Sequence, residues 1–299
     1  MKRVEDNNFE AEHLKPDNYE AVPQEVAKLE LENRYLKIMD LKKKYPNGFE
    51  AVKGLNMKMY QGQIFALLGQ NGAGKTTTIS MLTGLINQTS GSASVFEKEV
   101  FEQMDEVRSF MGVCPQHDIL FEDLTPEEHL DVFFDFKGGN AATKTQEIAD
   151  ILRDVGVLPD KDKRAKSLSG GNQRKLSVAI AMIGGSKLVL LDEPTAGMDV
   201  SARRGLWDML KNYRRDRIII LTTHYMDEAD VLGDRIGIMA QGQLMCLGSS
   251  LFLKNRFGSG YKLTMVKRNK KTNRVIAEYL NQKLDGVIKL SEVSSEITF

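Results

Sequence analysis

Cysteine is nearly absent: the 299-residue chain has two, Cys114 and Cys246, far apart and outside any CxxC or Cys/His cluster. That usage gives no disulfide framework and no zinc site, and it fits a reducing, intracellular setting best. Cys114 sits in an apolar stretch and reads as a small buried side chain rather than a nucleophile. A surplus of either charge is missing too, with 41 Lys and Arg against 41 Asp and Glu. No nucleic acid is expected as a partner, because such binding calls for a basic face. The triplet Lys42-Lys43-Lys44 reads as the solvated end of a strand. No apolar run reaches the ~20 residues of a membrane helix. Residues 1–30 are polar and acidic-rich, without a signal-peptide pattern. The chain reads as a soluble polypeptide; if it serves a membrane, the spanning part lies elsewhere. There is no internal repeat. The length leaves room for one large domain or two smaller ones around a substantial core.

Met1 to about Val26 lacks hydrophobic periodicity, contains Pro16 and Pro23, and reads as a flexible lead-in. Order is expected from Glu32. Tyr35 to Leu41 alternates as a strand does, Tyr45-Pro46-Asn47-Gly48 is a turn, and Leu55 to Tyr60 is a second strand. Asp123 to Phe136 and Thr143 to Val155 have helical apolar spacing, so residues 120–165 read as a helical insertion. Strands then alternate with helices: Leu188–Leu191, Ala202–Tyr213, Ile218–Leu221, and a helix from Met226, followed by strands Arg235–Met239 and Leu244–Leu247. Nearly continuous apolar strands between helices indicate a parallel sheet covered on both faces. Beyond Gly258-Ser259-Gly260 the composition shifts. Tyr261–Val266, Val287–Leu290 and Ile297–Phe299 read as strands, and Asn273–Leu284 as a helix.

The segment Gly69 to Thr77, GQNGAGKTT, fits the phosphate-loop pattern G-x-x-x-x-G-K-[ST]. The apolar run Ile64–Leu68 precedes it and a helix start follows, which is the setting the pattern requires. Glycines turn backbone N–H groups onto a phosphate, and the helix N-terminus adds partial positive charge. Lys75 can reach the β- and γ-phosphates, and the Thr76 hydroxyl can bind Mg²⁺. A glycine-rich turn with no ligand is the bland alternative; strand, glycines, lysine and threonine together weigh against it.

Lys187 to Pro194, KLVLLDEP, is a buried strand ending in two carboxylates. Asp192 is placed to hold Mg²⁺ opposite Thr76, and Glu193 to polarise an attacking water as general base. Alone, such a strand end is usually structural; with a phosphate loop upstream, the functional reading prevails. Leu168 to Gln173, LSGGNQ, precedes a helix, with Ser169 as N-cap and glycines that let a ligand approach the first turn. In isolation that too would be an ordinary capped helix.

The order of these motifs, with LSGG ending about 21 residues before Asp192, resembles the nucleotide-binding domain of ATP-binding cassette proteins, whose own signature is LSGG(Q/N). The resemblance spans roughly Leu31 to Gly258. It implies ATP and Mg²⁺ as ligands, the phosphates being held by Gly69, Asn71, Gly72, Gly74, Lys75, Thr76 and Thr77. It implies that Tyr45 stacks on adenine and that Gln116 contacts Mg²⁺ and the attacking water. His224, in LTTHYMDEAD, would contact the γ-phosphate. Ser169, Gly170, Gly171 and Asp199 would meet the nucleotide of a second cassette in an ATP-sandwich dimer. By themselves Gln116 and His224 would be read as surface polar groups, and Tyr45 equally as a turn residue.

His224 to Tyr261 resembles the first nucleotide-binding domain of A-subfamily transporters, which move lipids or sterol-like molecules. Tyr261–Phe299 resembles the opening half of the ferredoxin-like regulatory domain that follows in them. Asn172 stands where many cassettes carry Gln, and Val200 where Pro is common; neither departure removes a catalytic group. The expected fold is α/β: a P-loop NTPase core of cassette type with a mixed, mainly parallel sheet flanked by helices. An antiparallel β subdomain, a helical insertion and a partial ferredoxin-like βαβ tail complete it. The expected organisation is a lead-in over 1–31, a nucleotide-binding domain over 32–258 with its helical part at about 117–170, and a partial regulatory domain over 259–299. The implied setting is the cytoplasmic face of a membrane, with the transmembrane domains of the same transporter as partners. A soluble non-transport cassette ATPase and a nucleotide-clamping regulatory module with little hydrolysis are the alternatives.

Overall fold

The computed structural model describes residues 16–258, 262–266, 273–284, 287–293 and 296–299. Strand β1 (Tyr35–Lys44) pairs antiparallel with β2 (Glu50–Tyr60) across the turn at Tyr45–Phe49. With β4 (Ser90–Val95) and β5 (Lys98–Glu99) they form a four-stranded antiparallel sheet of order β2-β1-β4-β5. The larger sheet takes β3 (Ile64–Leu68), β6 (Met111–Cys114), β7 (Leu188–Asp192), β8 (Ile218–Thr223), β9 (Arg235–Ala240) and β10 (Gln243–Gly248). Its order is β10-β9-β3-β8-β7-β6, parallel throughout except for β10. This is the mixed, mainly parallel sheet with an antiparallel companion that the sequence predicts.

Strands β3, β7 and β8 are buried at every position, so their side chains feed two cores on a period of two. Ile64, Ala66, Val189, Leu191, Ile219 and Leu221 face a core shared with α6 (Gly170–Met182) and α7 (Val200–Tyr213). Their neighbours Phe65, Leu67, Leu188, Leu190, Ile218 and Ile220 face a core shared with the antiparallel sheet and α2 (Lys75–Leu82). Helices α4 (Pro126–Phe136) and α5 (Lys144–Asp154) occupy the predicted helical insertion, packing Leu130, Phe134, Ile148 and Ile151 into the first core. The start of α4 is set by a capping box: Thr125 accepts from the Glu128 N–H, and Glu128 reaches back to the Thr125 N–H. Helix α3 (Met104–Ser109) precedes β6, α8 (Met226–Leu232) precedes β9, and α9 (Ser250–Phe257) follows β10. No helix among the described residues is long and apolar enough to cross a membrane.

The lead-in reading fails where it can be checked. Residues 24–31 form α1 (Gln24–Leu31), which starts after Pro23 and ends at Asn33 in the left-handed region, φ +53°. An apolar stripe does not announce this helix, because its anchor is a carboxylate. Glu30 accepts from Lys58 Nζ at 2.8 Å and from the Tyr60 hydroxyl at 2.6 Å. Further upstream, Tyr19 bridges to Leu247 of β10, and the Glu20 N–H donates to the Leu247 carbonyl at 2.9 Å. The Glu20 carboxylate accepts from the Ser249 hydroxyl at 3.0 Å and from the Ser249 N–H. Residues 1–15 lie outside the described residues.

The chain divides into two compact units, Met1–Leu253 and Lys254–Phe299. In the second, β11 (Thr264–Val266), α10 (Asn273–Lys283), β12 (Ser291–Val293) and β13 (Glu296–Thr298) build a sheet of order β11-β13-β12. Strand β13 is antiparallel to both neighbours, so β11 and β12 run parallel with a strand between them, the split β-α-β of ferredoxin-like folds. Leu280, Ile297 and Phe299 form its core. The predicted strand at Val287–Leu290 is corrected: the strand is Ser291–Val293. Pairing of Val293 with Glu296 sets the register; the Leu290 N–H still donates to the Thr298 carbonyl at 2.8 Å, and the residues before it lie beyond the end of a three-residue β13, with Ile288 and Leu290 exposed.

Candidate functional site

The loop between β3 and α2 is shaped by the chain around it. Gly74 sits at φ +104°, and a Cβ there would lie 2.5 Å from the Ala51 carbonyl oxygen. A Cβ on Gly69 would lie 2.5 Å from the Met239 carbonyl oxygen. Glycine is therefore required at both places whether or not a ligand is present. Lys75 opens α2 and turns back over the loop, donating to the Gly69 carbonyl at 2.7 Å and to the Gln70 carbonyl at 3.2 Å. Burial lowers its pKa from the ordinary lysine value, while the nearby charges of Glu193 and Asp192 oppose that shift.

An open cleft of about 230 Å³ faces this loop. Lys75, Thr76, Thr77, Gln116, Glu193 and Phe49 line it. Asn71, Gly72 and Gly74 of the loop line it as well. Thr76 Oγ1 lies 3.3 Å from Asp192 Oδ1, and Thr222 Oγ1 also donates to that oxygen. A hydroxyl beside a carboxylate is a pair of hard oxygen donors. Among the described residues no closed cluster of three or more His, Cys, Asp or Glu occurs. The donor set suits Mg²⁺, which keeps several waters and takes its other ligands from a phosphate substrate.

Glu193 follows β7 with φ +50°, a left-handed backbone that costs a side-chain-bearing residue about 1–3 kcal/mol. Its N–H donates to the carbonyl and the hydroxyl of Thr222, at 3.2 and 3.0 Å. Its Oε1 lies 3.1 Å from His224 Nδ1. A carboxylate only accepts, so the imidazole offers its Nδ1–H.

Arg174, on α6, holds the same corner from below. It is 2% exposed, and its guanidinium donates to the carbonyls of Asp192, Glu193 and Pro194 at 2.6, 2.8 and 3.2 Å. It also donates to the Pro115 carbonyl at 2.6 Å and to Asp118 Oδ1 at 2.9 Å. Sequence reasoning passed over it, because an arginine beside Lys175 reads as solvated. The signal was the run Leu176 to Met182, apolar except for Ser177, which marks a helix buried on every side.

Two groups of predicted residues stand apart from the cleft. Tyr45 stacks on Phe49, ring centroids 6.5 Å apart and planes at 17°, so Phe49 is the aromatic that meets the cleft. Ser169, Gly170 and Asp199 are exposed, Gly171 is half-buried, and none of the four lines the cleft. Ser169 Oγ accepts from the Asn172 N–H, and Asp199 accepts from the N–H groups of Ser201 and Ala202, so both are N-caps. The N–H bonds from Ala202 and Ser201 help hold the Asp199 carboxyl below its ordinary pKa. A Cβ on Gly170 or Gly171 would meet nothing within 4 Å. Among the described residues nothing demands glycine there.

A phosphate loop on a mixed sheet, a strand ending in two carboxylates and a serine-capped SGG helix define a P-loop nucleotide-binding cassette. The ABC transporter family model matches residues 52–196. Human phospholipid-transporting ATPase ABCA3 is 44% identical over 301 residues, covering 100% of this chain and 17% of that protein. Human retinal-specific phospholipid-transporting ATPase ABCA4 is 51% identical over 225 residues, 75% of this chain and 10% of that protein. Rat ATP-binding cassette sub-family A member 7 is 51% identical over 217 residues, 73% of this chain and 10% of that protein. The chain thus spans between 10% and 17% of the length of these relatives. Among solved structures, the ATP-binding subunit of an ABC transporter superposes with a TM-score of 0.69 at 25% identity, over 75% of this chain and 93% of that one. A dimeric ATP-binding cassette in a post-hydrolysis state, bound to ADP and Pi, shares the fold with a TM-score of 0.66 at 20% identity, over 72% of this chain and 98% of that one. Residues 52–196 carry the ABC transporter domain, and the chain is similar to members of the A subfamily.

Proposed function

We propose that this chain is an ATP-hydrolysing motor domain of a membrane transporter that moves lipids, working as a pair with a second cassette. ATP binds with its phosphates on the loop Gly69–Thr77 and its charge met by Lys75. Phe49, backed by Tyr45, offers an aromatic face to the base. Thr76, Asp192 and Gln116 are the residues that would hold Mg²⁺, which when bound would neutralise charge on the β- and γ-phosphates. Glu193 takes the proton of the attacking water, and His224 keeps that carboxylate aimed and reaches toward the γ-phosphate.

The observation that carries this reading is convergence. One cleft gathers Lys75, Thr76, Gln116 and Glu193 from three separate segments, with His224 3.1 Å from the candidate base. The second cassette is supported by the other face. Ser169, Gly170, Gly171 and Asp199 present a capped helix end and bare glycines to the outside, where a partner's nucleotide would need close approach. Closing the pair excludes water and strengthens the Lys75 electrostatics. The transmembrane domains would act on the cytoplasmic side, through the surface around Gln116 and helices α4 and α5. Lipid as the cargo is carried over from the phospholipid-transporting ATPases ABCA3 and ABCA4.

Phosphate release from Mg-ATP, followed across protein concentration, tests the proposal. The rate per chain rises with concentration, because the complete site needs two copies. Glu193→Gln keeps ATP binding and slows release by about 10²–10⁴-fold, the usual worth of a positioned base. ATP binding without phosphate release from the wild-type chain at any concentration would turn the reading into that of a nucleotide clamp.

A further inference from the structure

We infer that Arg174 is the positioning residue for Glu193, an inference that rests on Glu193 being the base. A guanidinium has five N–H donors in a fixed plane, and here each has an acceptor. Three of the acceptors are consecutive carbonyls, those of Asp192, Glu193 and Pro194. Gripping the carbonyls before, at and after Glu193 fixes the peptide planes on both sides of it. Those planes define the backbone of a residue held at φ +50°, and a conformation of that kind persists only where its surroundings impose it. The grip comes from α6 alone, while Thr222 holds the Glu193 N–H from β8. Released from Arg174, the Glu193 peptide relaxes toward an ordinary φ and its carboxylate leaves His224.

The remaining two donors extend the effect. Pro115 and Asp118, which they bind, lie on either side of Gln116. One side chain near the N-terminus of α6 therefore joins the strand end carrying Glu193 to the loop carrying Gln116. Lysine, with a point charge and no planar fork, cannot reproduce five directed bonds. Arg174 is not itself among the residues lining the cleft, and it bonds to the main chain of Glu193, so it works through the backbone it holds.

The test uses the full chain with Arg174→Lys and Glu193→Gly, singly and together. In the folded Arg174→Lys chain, ATP affinity stays within about threefold of wild type. Phosphate release per ATP-binding site at saturating ATP falls about 10–100-fold, because a displacement of ~1 Å at the reacting centre has that consequence. The second measurement is the melting temperature without nucleotide. Glycine at 193 adopts positive φ freely and has no strain to give back on release, so Arg174→Lys lowers Tm more in the Glu193→Gly background than in wild type. A wild-type rate per site in Arg174→Lys overturns the inference, and so does an equal Tm loss in both backgrounds. Failure of Arg174→Lys to fold overturns it too, because Arg174 would then hold the fold rather than Glu193. A wild-type chain that binds ATP and releases no phosphate removes Glu193 as base, while the Tm comparison still decides what Arg174 holds.

Discussion

Glu228 shows how much one buried group does behind the site. It lies on α8, 1% exposed, and accepts from the Thr195 hydroxyl at 2.9 Å and from Trp207 Nε1 at 3.3 Å. Burial pushes its carboxyl above the ordinary value of 4.5, opposed in part by hydrogen bonds from Thr223, Thr195 and Trp207. Between the ordinary and the raised value, the folded chain holds a proton that the unfolded chain has lost. The associated stability is fully present below 4.5 and disappears as pH rises through the raised value. Glu228→Gln cannot ionise. The Tm of the variant minus that of wild type is therefore expected to increase from about pH 5 to about pH 8. A fixed penalty for the amide would shift the whole curve and leave its slope. Trp207, the only tryptophan, reports unfolding at this spot by its fluorescence. At this scale the sequence is legible where function imposes a pattern. Lys75, Thr76, Asp192 and Glu193 are found by spacing alone, whereas Glu228 and Arg174 carry charge at positions where composition points to solvent.

Helix α6 is polarised from end to end. At its start Ser169 caps the first turn, and Gly170 and Gly171 leave the N–H groups bare. At its far end Lys137 Nζ donates to the carbonyls of Ile180 and Ala181 at 2.8 and 3.2 Å, and Arg217 to that of Met182 at 3.4 Å. Burial pushes the Lys137 amine down to about 7, so the standing cation at the C-terminus is Arg217; that cation and an open N-terminus both favour an anion in front of the first turn. Gly171→Ala separates the two possible reasons for glycine. The new methyl has room within the chain and removes backbone freedom from the unfolded state, so Tm is expected to hold or rise by up to about 1 kcal/mol of stability. ATP binding is expected to be unchanged. Phosphate release, measured at a protein concentration that supports it, is expected to drop at least tenfold. Elements of this kind were readable from period and caps. The fully apolar strands β3, β7 and β8 announced themselves; β4, whose residues are SGSASV, did not, because small polar side chains hide a strand that is paired on both edges.

For the molecule as a whole, the two cores follow from alternation along the same buried strands, and that much was implicit in the sequence. The contribution of residues 19–31 was not, because it travels through polar contacts of high sequence separation. The Lys58 and Glu30 side chains are 4% and 11% exposed, and they fasten α1 to β2. Lys58→Met leaves a carboxylate buried without its cation and is expected to cost about 3–5 kcal/mol, read by denaturant unfolding. Adding Glu30→Leu is expected to restore most of it. An effect of Lys58→Met below about 0.5 kcal/mol, the range of surface substitutions, would mean that α1 contributes nothing to the fold.

Tyr19 and Leu247 are bridge partners, so their backbones lie about 5 Å apart, as neighbouring strands do. The whole ATP-handling unit is in effect a ring sewn shut at one seam. Its architecture owes nothing to which residue is translated first. A short graft across the seam, with fresh termini opened at the exposed bend near Asn140, yields a circular permutant with every motif in place. The same seam makes the unit a cartridge that a host chain can carry at a single insertion point.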